Sequence, residues 1–88
     1  MKVAYKKKFL KDLAKLPKPI RERIEVFVFQ TAPECNHVGQ MGSLQSLTGY
    51  RDYYKVRFGN YRVGCQLIND TLEFRRVMDR KDIYRYFP

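Results

Sequence analysis

Lys55, Arg57 and Arg62 are three cations whose spacing brings them to one place in the chain. They flank the dipeptide Gly59-Asn60, which separates two runs of alternating character, YYKVRF and YRVGCQLI. A two-residue turn there pairs Phe58 with Tyr61, Arg57 with Arg62, Val56 with Val63, Lys55 with Gly64 and Tyr54 with Cys65. Side chains alternate along a strand. Lys55, Arg57, Arg62, Gly64 and Gln66 therefore share one face. Tyr54, Val56, Phe58, Tyr61, Val63, Cys65 and Leu67 share the other. Carried across a second turn at Asn69-Asp70, the register pairs Ile68 with Thr71, Gln66 with Glu73 and Gly64 with Arg75. Arg75 joins the polar face, and Leu72, Phe74 and Met78 join the apolar one. Arg76 and Arg80 break the pattern, because strict alternation turns both towards the core, where an unpaired charge is costly. Either a bulge near Arg75-Arg76 or a strand that outruns its helical cover resolves the conflict.

Like charges directly opposite each other destabilise a strand pair. A phosphate between them reverses the sign, and guanidinium groups bind it in bidentate fashion. RNA carries its own nucleophile, the 2′-OH, so cutting it requires no metal. It requires a base, a clamp for the phosphate and an acid for the leaving group. Arginine stays protonated and serves as a clamp. Packed cations favour the neutral form of a neighbouring lysine. Lys55 is thus the candidate base on this face, with Arg57, Arg62 and Arg80 as clamps. Tyr84 and Tyr86 are candidates to stack on a base or donate a hydrogen bond, the alternative for each being packing of the tail. Other chemistries find little support. The acids are scattered, His37 stands alone in a neutral stretch, and Cys35 and Cys65 belong to no CxxC pair. Cys65 falls on the apolar face with no histidine near it in sequence. Two reduced thiols, no metal and no cofactor are expected.

The elements that position these residues follow from periodicity. Val3 and Tyr5 alternate with Lys2 and Ala4 as a short first strand. Phe9, Leu10, Leu13 and Leu16 form a helical stripe that Pro17 stops. Pro19 opens a second helix with a stripe of Ile20, Ile24, Phe27 and Val28, fading by Ala32 before Pro33. Residues 33–48 read as a loop, TLEFRRVM as the last strand and KDIYRYFP as a short helical or irregular tail. The expected fold class is α+β: a small antiparallel sheet, made of an N-terminal strand and a three-stranded C-terminal meander, packed on a helical hairpin. Residues 1–88 form a single domain.

A net charge of +9 on 88 residues favours a polyanionic partner. Nine Lys/Arg lie in residues 1–23 and nine in residues 51–88, with none from Ile24 to Tyr50, unlike a uniformly solvated shell. The N-terminus has no apolar signal core and no run is long enough to span a membrane, so a soluble cytoplasmic protein is expected.

The segment GYRDYYKVRFGNYRVGCQL, followed by FRRVMDRKDIYRYF, resembles the RelE/ParE superfamily of toxin–antitoxin toxins, on the RelE branch. The opening KKFLKDLAKLPKPIRERI resembles it too, so the likeness covers nearly the whole chain. It implies a sheet packed on a helical hairpin, cleavage of mRNA in the ribosomal A site, and neutralisation by a cognate antitoxin. Lys55 matches a basic strand position of the family, Arg57 stands where some members have Lys, and Arg62 matches the Arg of its YR motif. Arg80 matches the Arg after the last strand, and Tyr86, or in the alternative Tyr84, the C-terminal tyrosine. Arg75, Lys81 and Tyr84 are assigned to RNA binding. Relatives often carry His where this chain has Asp79, an acid able to claim Arg80 in an ion pair. Two rivals stay open: the ParE branch, which inhibits DNA gyrase by binding, and an inactive RNA-binding relic.

Overall fold

Helix α1 (Lys7–Ala14) and helix α2 (Lys18–Val26) form the expected hairpin across a Pro-containing turn, in a computed structural model that describes residues 1–88. Pro19 stands in the first turn of α2, where a missing N–H breaks no hydrogen bond. Phe9, Leu13, Leu16, Ile24 and Val28 are buried against the sheet. Leu10 leaves the expected stripe: one residue on from Phe9 it lies about 100° further round the helix, and it is 42% exposed.

The second helix does not fade before Pro33. It widens into a π-helical turn (Phe27–Thr31) and continues through Ala32–Glu34, α3. In the π register the Val28 carbonyl faces residue 33, whose proline nitrogen has no proton. The Tyr5 hydroxyl donates to that carbonyl instead, at 2.6 Å.

The sheet has five strands in the order β1 (Lys2–Tyr5), β5 (Thr71–Asp79), β4 (Tyr61–Ile68), β3 (Tyr53–Phe58) and β2 (Gln45–Ser46). The meander β3–β4–β5 is antiparallel, as alternation predicted, but β1 joins β5 in parallel, so the sheet is mixed. The helical hairpin carries the chain from β1 across the sheet to β2 and β3, and the meander then returns β5 to the side of β1. Residues 33–48 are not all loop: Gln45 and Ser46 pair with Lys55 and Tyr54. Asn69 and Asp70 both have positive φ, at 48° and 65°, as a two-residue hairpin turn of the primed type requires.

The β3–β4 register is the predicted one at every pair, with Arg57 opposite Arg62. The β4–β5 register holds at Ile68–Thr71 and Gln66–Glu73, then shifts between Gly64 and Cys65. Gly64 pairs with Arg76, not Arg75; Arg75 is the extra residue of a bulge. Beyond it the faces exchange. Val77, opposite Val63, enters the core, and Met78, opposite Arg62, leaves it, contrary to the strict-alternation assignment.

The bulge has an identifiable anchor. β1 ends at Tyr5, opposite Phe74, and leaves the edge of β5 bare beyond that point. Asp12 of α1 takes the place of a strand neighbour there: its Oδ2 accepts from the Val77 N–H at 3.2 Å and from Arg76 Nε at 2.7 Å. The same hydrogen bond raises the pKa of Arg76 above its usual value.

The helices cover one face of the sheet. The other carries the C-terminal turn α4 (Ile83–Tyr86), with Ile83 and Phe87 buried. The Phe87 ring lies on Gly64, where a Cβ would come within 2.6 Å of it, so any side chain there would force the ring to shift. No helix is long and apolar enough to cross a membrane.

Candidate functional site

Lys55, Arg57, Arg62, Arg80, Lys81, Tyr84 and Gln45 line one shallow cavity of about 360 Å³ on the outer face of the sheet. Arg80 arrives there because of the bulge. The inserted residue turns Met78 outward, and Arg80, two positions on, follows it. The Arg80 N–H donates to the Asn60 carbonyl at 2.8 Å, which ties the end of β5 to the β3–β4 turn. Arg62 is fixed to the same turn: its Nη1 donates to the carbonyls of Gly59 at 2.8 Å and Tyr61 at 2.9 Å. Lys55 Nζ donates to the Tyr84 hydroxyl at 3.3 Å and lies 5.7 Å from the centre of its ring.

None of the five cations has a carboxylate partner. The salt bridges of the molecule are Lys6–Glu73, Arg75–Glu73 and Arg76–Asp12, all outside this cavity. Asp79 forms no ion pair with Arg80; its Oδ1 accepts from the Lys81 N–H at 2.8 Å. The cavity therefore presents concentrated positive charge, open hydrogen-bond donors and one aromatic ring. That combination suits a phosphodiester with an adjacent base.

Two residues assigned to the site lie elsewhere. Arg75 and Tyr86 line a second cavity, of about 480 Å³, with Lys6, Lys7, Lys8, Arg76, Phe87 and Pro88. Arg75 donates to Glu73 at 2.6 Å and to Gln66 at 3.2 Å. Tyr84 and Tyr86 are two positions apart on a helical turn, so they point to opposite sides of it. Tyr84 faces Lys55, whereas Tyr86 stacks beside Arg76 with 5.1 Å between guanidinium carbon and ring centre. Gln45 is the residue that sequence reasoning missed. Its strand has two residues, too few for alternation to register. His37 is exposed and lines a cavity with Leu67, Asn69 and Asp70, at the opposite end of β4 from Arg62. Burial pushes the Cys65 thiol up to about 12, which removes it as a nucleophile at neutral pH.

The ParE toxin family of type II toxin–antitoxin systems, parDE, matches residues 3–84. Toxin RelE3 of Methanocaldococcus jannaschii is 42% identical over 92 residues, with 100% of each chain covered. The chain belongs to the RelE/ParE superfamily of toxins. Among solved structures, the toxin is similar to the RelB–RelE antitoxin–toxin complex from Methanococcus jannaschii, with a TM-score of 0.79 and 39% identity over 97% of this chain and 99% of that one. It shares its fold with the isolated RelE toxin of E. coli, at a TM-score of 0.68 and 20% identity over 96% and 90% of the two chains.

Proposed function

We propose that this toxin is a metal-independent, ribosome-dependent mRNA endoribonuclease that inhibits translation. The observation that carries the reading is the cavity in which Lys55, Arg57, Arg62, Arg80 and Lys81 converge without an acid among them, beside Tyr84. Arg57, Arg62 and Arg80 hold the scissile phosphate. The ribosome aligns the mRNA backbone, and the 2′-oxygen bonds to phosphorus as the bond to the 5′-oxygen breaks. Lys55 assists removal of the 2′-OH proton. The cations neutralise charge that develops on the phosphoryl oxygens and the leaving 5′-oxygen, which takes its proton from water. Tyr84 takes the role of stacking on or orienting a base, because it, and not Tyr86, reaches Lys55.

The partner is a cognate antitoxin, consistent with the RelB chain that accompanies RelE in the related complex. An acidic or extended segment of it would cover the cationic face. The reading places the protein in the cytoplasm, with ribosomes.

The matching family is described as ParE, which favours gyrase inhibition as the second reading. Programmed ribosomes separate the two. The nuclease reading expects mRNA cutting by wild type and its loss in Arg62→Ala. Gyrase inhibition with intact mRNA would replace it.

A further inference from the structure

We infer that the toxin has a second RNA-binding cleft, separate from the first, which grips phosphodiester backbone through Lys7, Lys8 and Arg75 and presents Tyr86 to a base. The inference shares with the proposed function only the premise that RNA is the partner.

The C-terminal turn acts as a septum on the outer face. Phe87 anchors it on Gly64. Tyr84 faces the cavity of Lys55 on one side, and Tyr86 faces a larger cavity of about 480 Å³ on the other. That second cavity draws its cations from β5, α1 and the segment before α1: Lys6, Lys7, Lys8, Arg75 and Arg76. Two acids adjoin them, Glu73 and Asp12, and both are engaged. Five cations against two acids leave three positive charges in excess. Lys7 and Lys8 are exposed and take part in no salt bridge.

The placement of these lysines costs stability. They stand in the first turn of α1, which contains no acid, where the helix dipole disfavours positive charge. An anion drawn to the lysines removes that penalty. Arg76, held by Asp12, lies against one side of the Tyr86 ring at 5.1 Å. Tyr86 is 57% exposed, so its ring keeps surface free for a base to stack on. Cations around a concave surface, an exposed aromatic ring and no unengaged acid fit nucleic acid backbone more closely than a protein surface of mixed charge.

The test measures binding of a labelled single-stranded oligoribonucleotide, at low and at physiological salt, to wild type and to Lys7→Ala/Lys8→Ala. Neither lysine is buried, and a thermal melt confirms that the variant is folded. Loss of two phosphate contacts is expected to weaken binding about tenfold at low salt and to reduce the slope of log affinity against log salt by about 1.4. Tyr86→Ala should weaken binding further without changing that slope. Single-turnover cleavage on saturating programmed ribosomes should be unchanged in the lysine variant. Arg57→Ala/Arg62→Ala should abolish it, so failure of the nuclease reading shows in that arm alone. Unaltered RNA affinity and salt slope in the lysine variant would overturn the inference. So would weakened binding of an acidic peptide with RNA binding untouched, which would make this face a protein interface.

Discussion

Lys55 and Tyr84 come from a strand and from the C-terminal turn, and their contact defines which tyrosine serves the cationic cavity. Chain position did not show this. Both tyrosines follow Arg80 closely, and only the direction of the turn separates them. Tyr84→Ala should slow single-turnover cleavage on programmed ribosomes about a hundredfold, and Tyr86→Ala by less than a tenth of that. Lys55→Ala should cost about a hundredfold or more, the usual contribution of a proton-transfer group. The three strand cations were legible because period-two alternation and the Gly59-Asn60 turn fix their face from local residues alone. Cys65 supplies a prediction of stability. Its thiol ionises near 9 when unfolded and near 12 when buried, so the unfolded state releases its proton first. The associated stability is complete below about pH 9 and is lost as pH rises towards 12. Urea denaturation should show wild type losing about 1 kcal/mol more stability than Cys65→Ala between pH 9 and pH 10.

At the scale of elements, β5 decides whether the site is complete. Its bulge turns Met78 and Arg80 outward and sends Val77 into the core. Sequence alternation exposed the conflict at Arg76 and Arg80 without locating the extra residue. The reason is physical: the anchor, Asp12, lies 64 positions away on α1, and no local pattern records it. The mixed sheet escaped for a similar cause, since strand direction depends on the crossover. Asp12→Asn should destabilise the toxin by about 3 kcal/mol, because it leaves Arg76 half-buried without a counter-charge. Cleavage should fall with it, as Arg80 loses its fixed register. Gly64→Ala tests the opposite face. A Cβ there collides with Phe87, so α4 must lift and carry Tyr84 away from Lys55. Cleavage should drop at least tenfold while circular dichroism still reports the sheet. Phe87→Ala should cost about 3 kcal/mol by emptying the same contact.

At the scale of the whole molecule, charge is distributed by task. The stretch from Ile24 to Tyr50, without Lys or Arg, supplies Val28, Ala32 and Met41 to the core. The C-terminal basic block supplies every cation of one cavity beside α4 and shares the other with Lys6, Lys7 and Lys8. A net charge of +9 announced a polyanionic partner but not the division between two clefts. The division arises from packing of the C-terminal turn on Gly64, a contact that composition does not encode. The central claim is that the acid-free cavity cuts mRNA on the ribosome. Its most direct test is cleavage of a programmed mRNA by wild type and by the folded triple variant Lys55→Ala/Arg57→Ala/Arg62→Ala, with gyrase supercoiling assayed in parallel. The account predicts cutting by wild type, none by the triple variant and no effect of either on gyrase. Cutting that survives in the triple variant, or gyrase inhibition with intact mRNA, would contradict it.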